Sequence, residues 1–248
     1  MPFPANVDGS SFDTASLIRR FSVFASLSEA EVKVLRGLSD ARRHSSQEDL
    51  CAVGLPSPPR LVIAGWACRY RLLADRRRQI FGILLPGDFV GRMLLPDLPS
   101  QCAVAALTEL RTVSAQSLAD ASATSTHAGL ARAVHLMAYL DDRLLFNHMV
   151  RLSQQTARGR VAHLMLELHE RLGWVGLVRD DRFAMPLTLP VLGDTLGLSV
   201  VHVNRTLQQL CADGLLDVGD GMVALLKPER LKEVSEWMPF CLTLAFRQ

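Results

Sequence analysis

The pattern of apolar and polar positions changes character several times along the chain. Residues 16–38 carry apolar side chains at helical spacing, which predicts a short helical lead-in. Ser28, followed by acidic residues at Glu29 and Glu31, marks the start of a second helix within it.

Between residues 49 and 112 the apolar segments become short, and glycine and proline punctuate them. This spacing predicts short β-strands joined by tight turns, as in a small sandwich or barrel. The clearest strands are residues 61–64, 66–73 and 79–85, with a basic hairpin turn at 74–78.

Residues 127–152 return to helical periodicity with one wide apolar stripe. Such a stripe can pack on the β-domain or pair with a second copy of itself. Asp141 and His148 interrupt a regular heptad seam, so periodicity alone leaves both alternatives open. The stripe comprises Leu130, Val134, Met137, Leu140, Leu144, Leu145, Met149 and Leu152.

A helix predicted over 157–172 is followed by a pattern typical of a helix-turn-helix. Thr188 can cap a short helix with Pro190 in its first turn, and Gly197 supplies a left-handed turn residue. Ser199 then caps a second helix that extends to Leu210.

Two strands, 215–218 and 222–226, surround a Gly-Asp-Gly turn and predict a wing after the second helix. That helix exposes Val200, Val201, Asn204 and Arg205 in the half that reaches base edges when a helix lies in the major groove. The hydroxyls of the two capping residues and the free helix amides suit phosphate groups. The pattern therefore predicts binding of double-stranded DNA.

Charge and composition narrow the function classes. The net charge is +2, and residues 151–248 hold 11 Lys plus Arg against 11 Asp plus Glu. Because non-specific DNA affinity scales with the phosphates neutralised, affinity must come from a local site. The length of 248 residues suits two modest domains.

Other chemistry is not indicated. No nucleophile with a base, phosphate loop or paired carboxylate stands out, so we expect no catalytic site and no enzyme. His163 and His169, six residues apart, should face different sides of their helix, so we expect no metal site. The five cysteines are scattered, and neither a secretion signal nor a membrane span is evident, so we expect free thiols, no cofactor and a cytoplasmic protein without a membrane partner.

The sequence resembles the Crp/Fnr family of bacterial regulators over nearly the whole chain. Residues 65–70, 79–80 and 85–91 are similar to the family's effector β-roll, and residues 200–208, including His202, are similar to its recognition helix. The resemblance implies an α+β fold with three parts. These are an N-terminal jelly-roll-like double-stranded β-roll with its helical lead-in (1–126), a long dimerisation helix (127–155) and a C-terminal winged helix-turn-helix (156–248).

The resemblance also implies a homodimer on a palindromic operator and assigns the stripe to the dimer seam, with Leu130, Val134, Met137, Leu140, Leu144 and Met149 as its contacts. The DNA-contacting set becomes Thr188, Ser199, Val200, Val201, His202, Asn204 and Arg205.

The chain departs from the family's cyclic-AMP-binding members, which carry a glutamate for the ribose and an Arg-Ser pair for the phosphate. The corresponding positions are Arg92, Ser100 and Gln101, so we expect no cyclic-AMP control. No cysteine precedes Cys51, which argues against the iron-sulfur cluster of the oxygen sensors.

Two alternatives remain: a regulator that acts through protein partners with lost DNA reading, and a sensor of a non-nucleotide small molecule. RNA polymerase is a further candidate partner. The apolar tail, residues 237–248, can pack back on a domain or contact a partner.

Overall fold

A computed structural model describes residues 14–91 and 98–240. The lead-in forms α1 (Thr14–Ser22) and α2 (Glu29–Arg36). Ser28 caps α2 as predicted, since its hydroxyl accepts from the Glu31 N–H while the Glu31 carboxylate accepts from the Ser28 N–H in return.

Eight strands form the described part of the β-roll, and the three predicted strands are confirmed to within about two residues at each end. The strands are β1 (Arg42–His44), β2 (Asp49–Cys51), β3 (Arg60–Ala64), β4 (Ala67–Leu72), β5 (Arg78–Leu84), β6 (Phe89–Val90), β7 (Ala103–Ala106) and β8 (Leu110–Ser114). They make two antiparallel sheets, ordered β1-β8-β3-β6 and β2-β7-β4-β5. Buried side chains from both sheets, among them Val62, Leu84, Val104 and Leu110, form a common apolar cluster.

The helix α3 (Gln116–Ser122) and a short 3₁₀ turn (Ser125–His127) lead into the long helix α4 (Ala128–Gln154). The N-terminus of α4 receives the carboxylate of Glu31, which accepts from the Leu130 N–H at 2.9 Å. A side chain at Gly129 would meet both Glu31 oxygens within 2.9 Å, so glycine permits this approach. One acidic residue thus joins the lead-in to the long helix.

The C-terminal part contains the predicted helix-turn-helix and wing. Its elements are α5 (Ala157–Gly173), β9 (Arg182–Ala184), α6 (Leu189–Leu196), α7 (Val200–Ala212), β10 (Leu216–Gly219), β11 (Met222–Leu225) and α8 (Pro228–Val234). The wing sheet has the order β10-β11-β9. The strand β9 and the helices α3 and α8 lack a clear pattern because each is only three to seven residues long.

The burial of side chains along α4 bears on the alternatives that periodicity left open. Leu130, Val134, Met137 and Leu140 are buried in a cluster with α1, α3 and the β-roll. This burial revises the seam prediction for these four residues, because the chain itself already covers them. The fifth, Leu144, is partly buried against the same cluster.

A different face of α4 is left exposed by the residues that the structure describes. Met149, the sixth predicted seam residue, lies on it and is exposed. The large apolar side chains exposed there are Tyr139, Leu145, Phe146, Met149 and Val150.

The β-roll and the winged helix-turn-helix pack directly against one another. Their buried residues form one apolar cluster that runs from Ile80 and Ile83 in β5 to Leu192 and Leu196 in α6. At its edge the Arg78 Nε lies 2.8 Å from the Asp194 Oδ2 on α6. The last residue of the predicted basic turn therefore faces the other domain.

Residues 237–240 pack back on the molecule, which answers part of the question about the tail. Trp237 contacts His163 ring to ring, and Phe240 is buried between Trp174 and the guanidinium of Arg143. Residues 241–248, with Cys241, lie outside the described part of the chain. Among the residues described, no helix combines the length and apolar character that a bilayer span needs, the 27-residue α4 included.

Candidate nucleic-acid interface

The turn between α6 and α7 has the geometry that the sequence predicts. The Thr188 hydroxyl accepts from the Val191 N–H, and the Ser199 hydroxyl accepts from the His202 N–H at 3.2 Å. Gly197 ends α6 with φ of 62°, a left-handed conformation that glycine adopts at low cost. Both helix starts and the turn are therefore fixed locally.

A second glycine, Gly193, allows the two helices to approach. A Cβ at this position would lie 2.7 Å from the Leu198 carbonyl oxygen, closer than a carbon atom can come. Buried apolar side chains form the contact between the two helices. They are Leu192, Leu196, Val203, Leu207 and Leu210.

The opposite face of α7 is free. Val201, His202, Asn204 and Arg205 are exposed, together with Val200 at the helix start. Among the residues that the structure describes, the side chains of His202, Asn204 and Arg205 have no hydrogen-bond or ion-pair partner. Their donors and acceptors are therefore available to base edges.

The capping hydroxyls remain able to contact phosphate. Thr188 and Ser199 use an oxygen lone pair to accept from a helix amide, and both are exposed at helix N-termini. Each O–H can therefore donate outward, next to the positive end of the helix dipole. These positions suit backbone positioning rather than base reading.

Gln208 belongs to the same face of α7 and was missed by the sequence analysis. It is exposed and lies four residues after Asn204, one helical turn further along. The helical period, which places residue i+4 on the same face as residue i, would have been enough to predict its position.

The wing carries acidic rather than basic side chains. Asp220 and Gly221 form its turn with φ of 51° and 73°. Asp217 and Asp220 are exposed there, with the Arg182 guanidinium 3.8 Å from Asp217. Carboxylates oppose phosphate contact, so these two wing residues do not favour binding of the DNA backbone.

A chain of buried ion pairs connects this domain to the rest of the molecule. Asp88, in the Pro-Gly-Asp turn of the β-roll, pairs with Arg20 of α1 at 3.1 Å and with Arg171 of α5 at 2.5 Å. Arg171 continues to Glu167 at 3.1 Å, and Glu167 also binds Arg151 at the end of α4. Sequence reasoning missed this network, because Asp88, Arg20 and Arg151 lie far in the chain from the helix α5 that carries Glu167 and Arg171.

The electrostatics of the network keep its acids ionised. Burial opposes ionisation of Asp88 and Glu167, but the adjoining guanidinium groups outweigh it and hold both pKa values below their usual range. Removal of one partner would leave a buried charge uncompensated.

The two histidines considered for a metal have separate partners. The His163 Nδ1 accepts from the Arg151 Nη2 at 3.1 Å, whereas His169 lies 2.9 Å from Asp181. Within residues 14–91 and 98–240 no three His, Cys, Asp or Glu side chains gather as metal ligands.

Comparison with known proteins gives the same assignment for the C-terminal part. A family profile described as the Crp-like helix-turn-helix domain matches residues 159–234. This range contains α6, α7 and the wing.

Similarity to individual proteins extends over most of the chain. The nitrogen fixation regulation protein FixK of Bradyrhizobium diazoefficiens is 29% identical over 88% of this chain and 91% of its own. The transcriptional activator protein FnrL of Cereibacter sphaeroides is 29% identical over 62% of this chain and 63% of its own.

A solved structure has the same architecture. The structure of FixK2 from Bradyrhizobium japonicum superimposes with a TM-score of 0.69 and 28% identity, covering 80% of this chain and 98% of that one. The fold, the exposed recognition helix and these relatives together support the assignment of the chain as a DNA-binding transcription regulator of the Crp/Fnr family.

Proposed function

We propose that the protein is a sequence-specific regulator that binds a palindromic operator as a homodimer. The observation that carries this proposal is the partner-free polar face of α7, presented by a rigid turn. Thr188 and Ser199 position the helix on phosphates, while Val200, Val201, His202, Asn204 and Arg205 contact bases. Arg205 can donate two hydrogen bonds to guanine O6 and N7.

Dimerisation uses the exposed face of α4 in this proposal. Five large apolar side chains on one helix form a patch that stays exposed among the described residues of the single chain. A second copy would bury the patch around a two-fold axis, and the two recognition helices could then occupy half-sites one turn of DNA apart. In this arrangement residues 1–126 comprise the helical lead-in and the β-roll, 127–155 the dimerisation helix and 156–248 the DNA-binding domain.

Control by cyclic AMP is not part of the proposal. Arg92 lies outside the described residues, while Ser100 donates to the Cys102 carbonyl and Gln101 is exposed near Pro99. The nearby Arg69 already binds Asp141 of α4 at 2.9 Å and the Phe89 carbonyl at 3.1 Å. We therefore expect DNA affinity to be the same with and without cyclic AMP.

The protein would act by binding rather than catalysis, in the cytoplasm where the bacterial chromosome lies. The acidic wing favours one second candidate, a regulator that works through protein partners with weak DNA reading. RNA polymerase would be one such partner.

Selection of genomic DNA fragments by the purified protein distinguishes these functions. We expect an enriched inverted repeat that the Arg205→Ala variant fails to select. Arg230→Ala is the matched control, because Arg230 is also an exposed arginine of the same domain but lies on α8 and pairs with Glu233. If the wild type enriches no sequence, or if Arg205→Ala enriches the same one, the DNA-reading proposal is wrong.

A further inference from the structure

The first turn of α7 exposes apolar surface that folding does not explain. Val200 is 43% and Val201 is 67% exposed, whereas Val203, two residues later, is completely buried. β-branched residues also have modest helix propensity, so helix stability does not account for them. Neither packing nor local structure requires valine at these two positions.

The position of Val201 relates it to the DNA-reading side chains. Val201, Asn204, Arg205 and Gln208 follow the i, i+3, i+4 and i+7 spacing of one helical face. The Ser199 cap fixes the backbone of this turn through the His202 N–H. Because β-branching also restricts the valine rotamer, the isopropyl group is held in place before any partner binds.

The major groove offers one feature that suits an isopropyl group. Thymine carries a 5-methyl group, whereas the corresponding edges of adenine, guanine and cytosine present donors and acceptors. An isopropyl group against those edges would displace water without replacing its hydrogen bonds. Val201 therefore favours thymine and disfavours the alternatives.

The composition of the helix adds a restriction. The sequence of α7, VVHVNRTLQQLCA, contains no aspartate or glutamate. Carboxylates are the usual acceptors for the cytosine N4 amino group, so α7 lacks that charged contact. The methyl group is the feature by which an apolar side chain such as Val201 can distinguish thymine from cytosine.

We infer that Val201, supported by Val200, reads a thymine methyl group in each operator half-site, next to the guanine read by Arg205. Four residues of helix rise correspond to about 6 Å, which is about two base-pair steps. The thymine should therefore lie within about two base pairs of the guanine. This inference rests on the proposed function and specifies its base contacts.

Substitution of deoxyuridine for thymine tests the contact, because it removes the methyl group and leaves base pairing intact. In a duplex carrying the selected operator, each thymine is replaced in turn and the Kd is measured for the wild type and for Val201→Ala. At one symmetric pair of thymines we expect the wild type to lose about four-fold in affinity per methyl group. Val201→Ala should bind the thymine and deoxyuridine duplexes equally.

Leu226→Ala is the matched control, since Leu226 is 49% exposed in the same domain but lies beyond the wing strand β11. It should keep the full wild-type sensitivity to deoxyuridine. Three other outcomes would contradict the thymine contact, the role of Val201 or the proposed function. Specific binding that no deoxyuridine weakens overturns the thymine inference alone, and equal sensitivity in Val201→Ala overturns the assignment to valine. Failure of the wild type to select any sequence overturns the proposed function together with the inference.

Discussion

His163 shows how burial sets the chemistry of a single residue in this protein. Its ring is 5% exposed, packs 4.7 Å from the Trp237 ring, and accepts a hydrogen bond from Arg151. Burial and, secondarily, the Arg151 charge lower its pKa from 6.5 to about 4. The folded protein therefore requires the neutral ring.

A pH dependence of stability follows from this shift. Because the folded pKa lies below the unfolded value, the unfolded state binds the proton first, and stability is lost as the pH falls from 6.5 towards 4. We expect His163 to remove about 2 kcal/mol of the free energy of unfolding at pH 5. Urea titrations at pH 7 and pH 5 measure this loss.

His163→Asn is the informative variant, because its amide oxygen can still accept from Arg151. His148 has a similarly lowered pKa and Glu170 a raised one of about 7, and both are present in either protein, so their contributions cancel in the comparison. Equal losses of stability in the wild type and the variant between pH 7 and pH 5 would contradict the assignment.

At the scale of elements, the α6–α7 unit depends on a close backbone approach. We predict that Gly193→Ala separates the two helices, because its Cβ would lie 2.7 Å from the Leu198 carbonyl oxygen. The expected cost is about 1–3 kcal/mol, as for other overpacked sites, with a loss of operator affinity as the recognition helix moves. Thermal unfolding and operator binding measure the two effects.

Gly219→Ala provides the matched control in the wing of the same domain. A Cβ at Gly219 would meet nothing within 4 Å, so the melting temperature should be unchanged or slightly higher. If both alanine variants have the melting temperature of the wild type, the packing of α6 against α7 does not require glycine at position 193.

At the scale of the whole molecule, the proposed homodimer uses the exposed face of α4. We predict that Phe146→Glu produces a monomer, because Phe146 is 64% exposed and a buried, unpaired carboxylate would be costly in a seam. Sedimentation would show half the mass of the wild type, and operator affinity would fall as one half-site is lost.

The control substitution is Leu55→Glu, at an equally exposed leucine on the β-roll, which should remain dimeric. If the Phe146→Glu protein is still a dimer, the dimer interface does not lie on this face of α4. Because Leu130, Val134, Met137 and Leu140 pack inside the chain, their substitution should lower stability rather than dissociate a folded dimer.

The sequence by itself determined the features that depend on neighbouring residues. The caps at Ser28, Thr188 and Ser199 and the turn at Gly197 were all predictable, because capping and left-handed turns involve residues within one helical turn. The exposed face of α7 followed from the helical period in the same way.

The tertiary structure alone decided which surfaces meet. From its sequence pattern, the apolar stripe of α4 could pack equally well on the β-roll or on a second copy of itself. Only the positions of α1 and the β-roll showed which of its side chains are covered within the chain. The ion pairs of Asp88 with Arg20 and Arg171 join residues 68 and 83 positions apart. No local pattern encodes such contacts, because their partners are brought together only when the whole chain has folded.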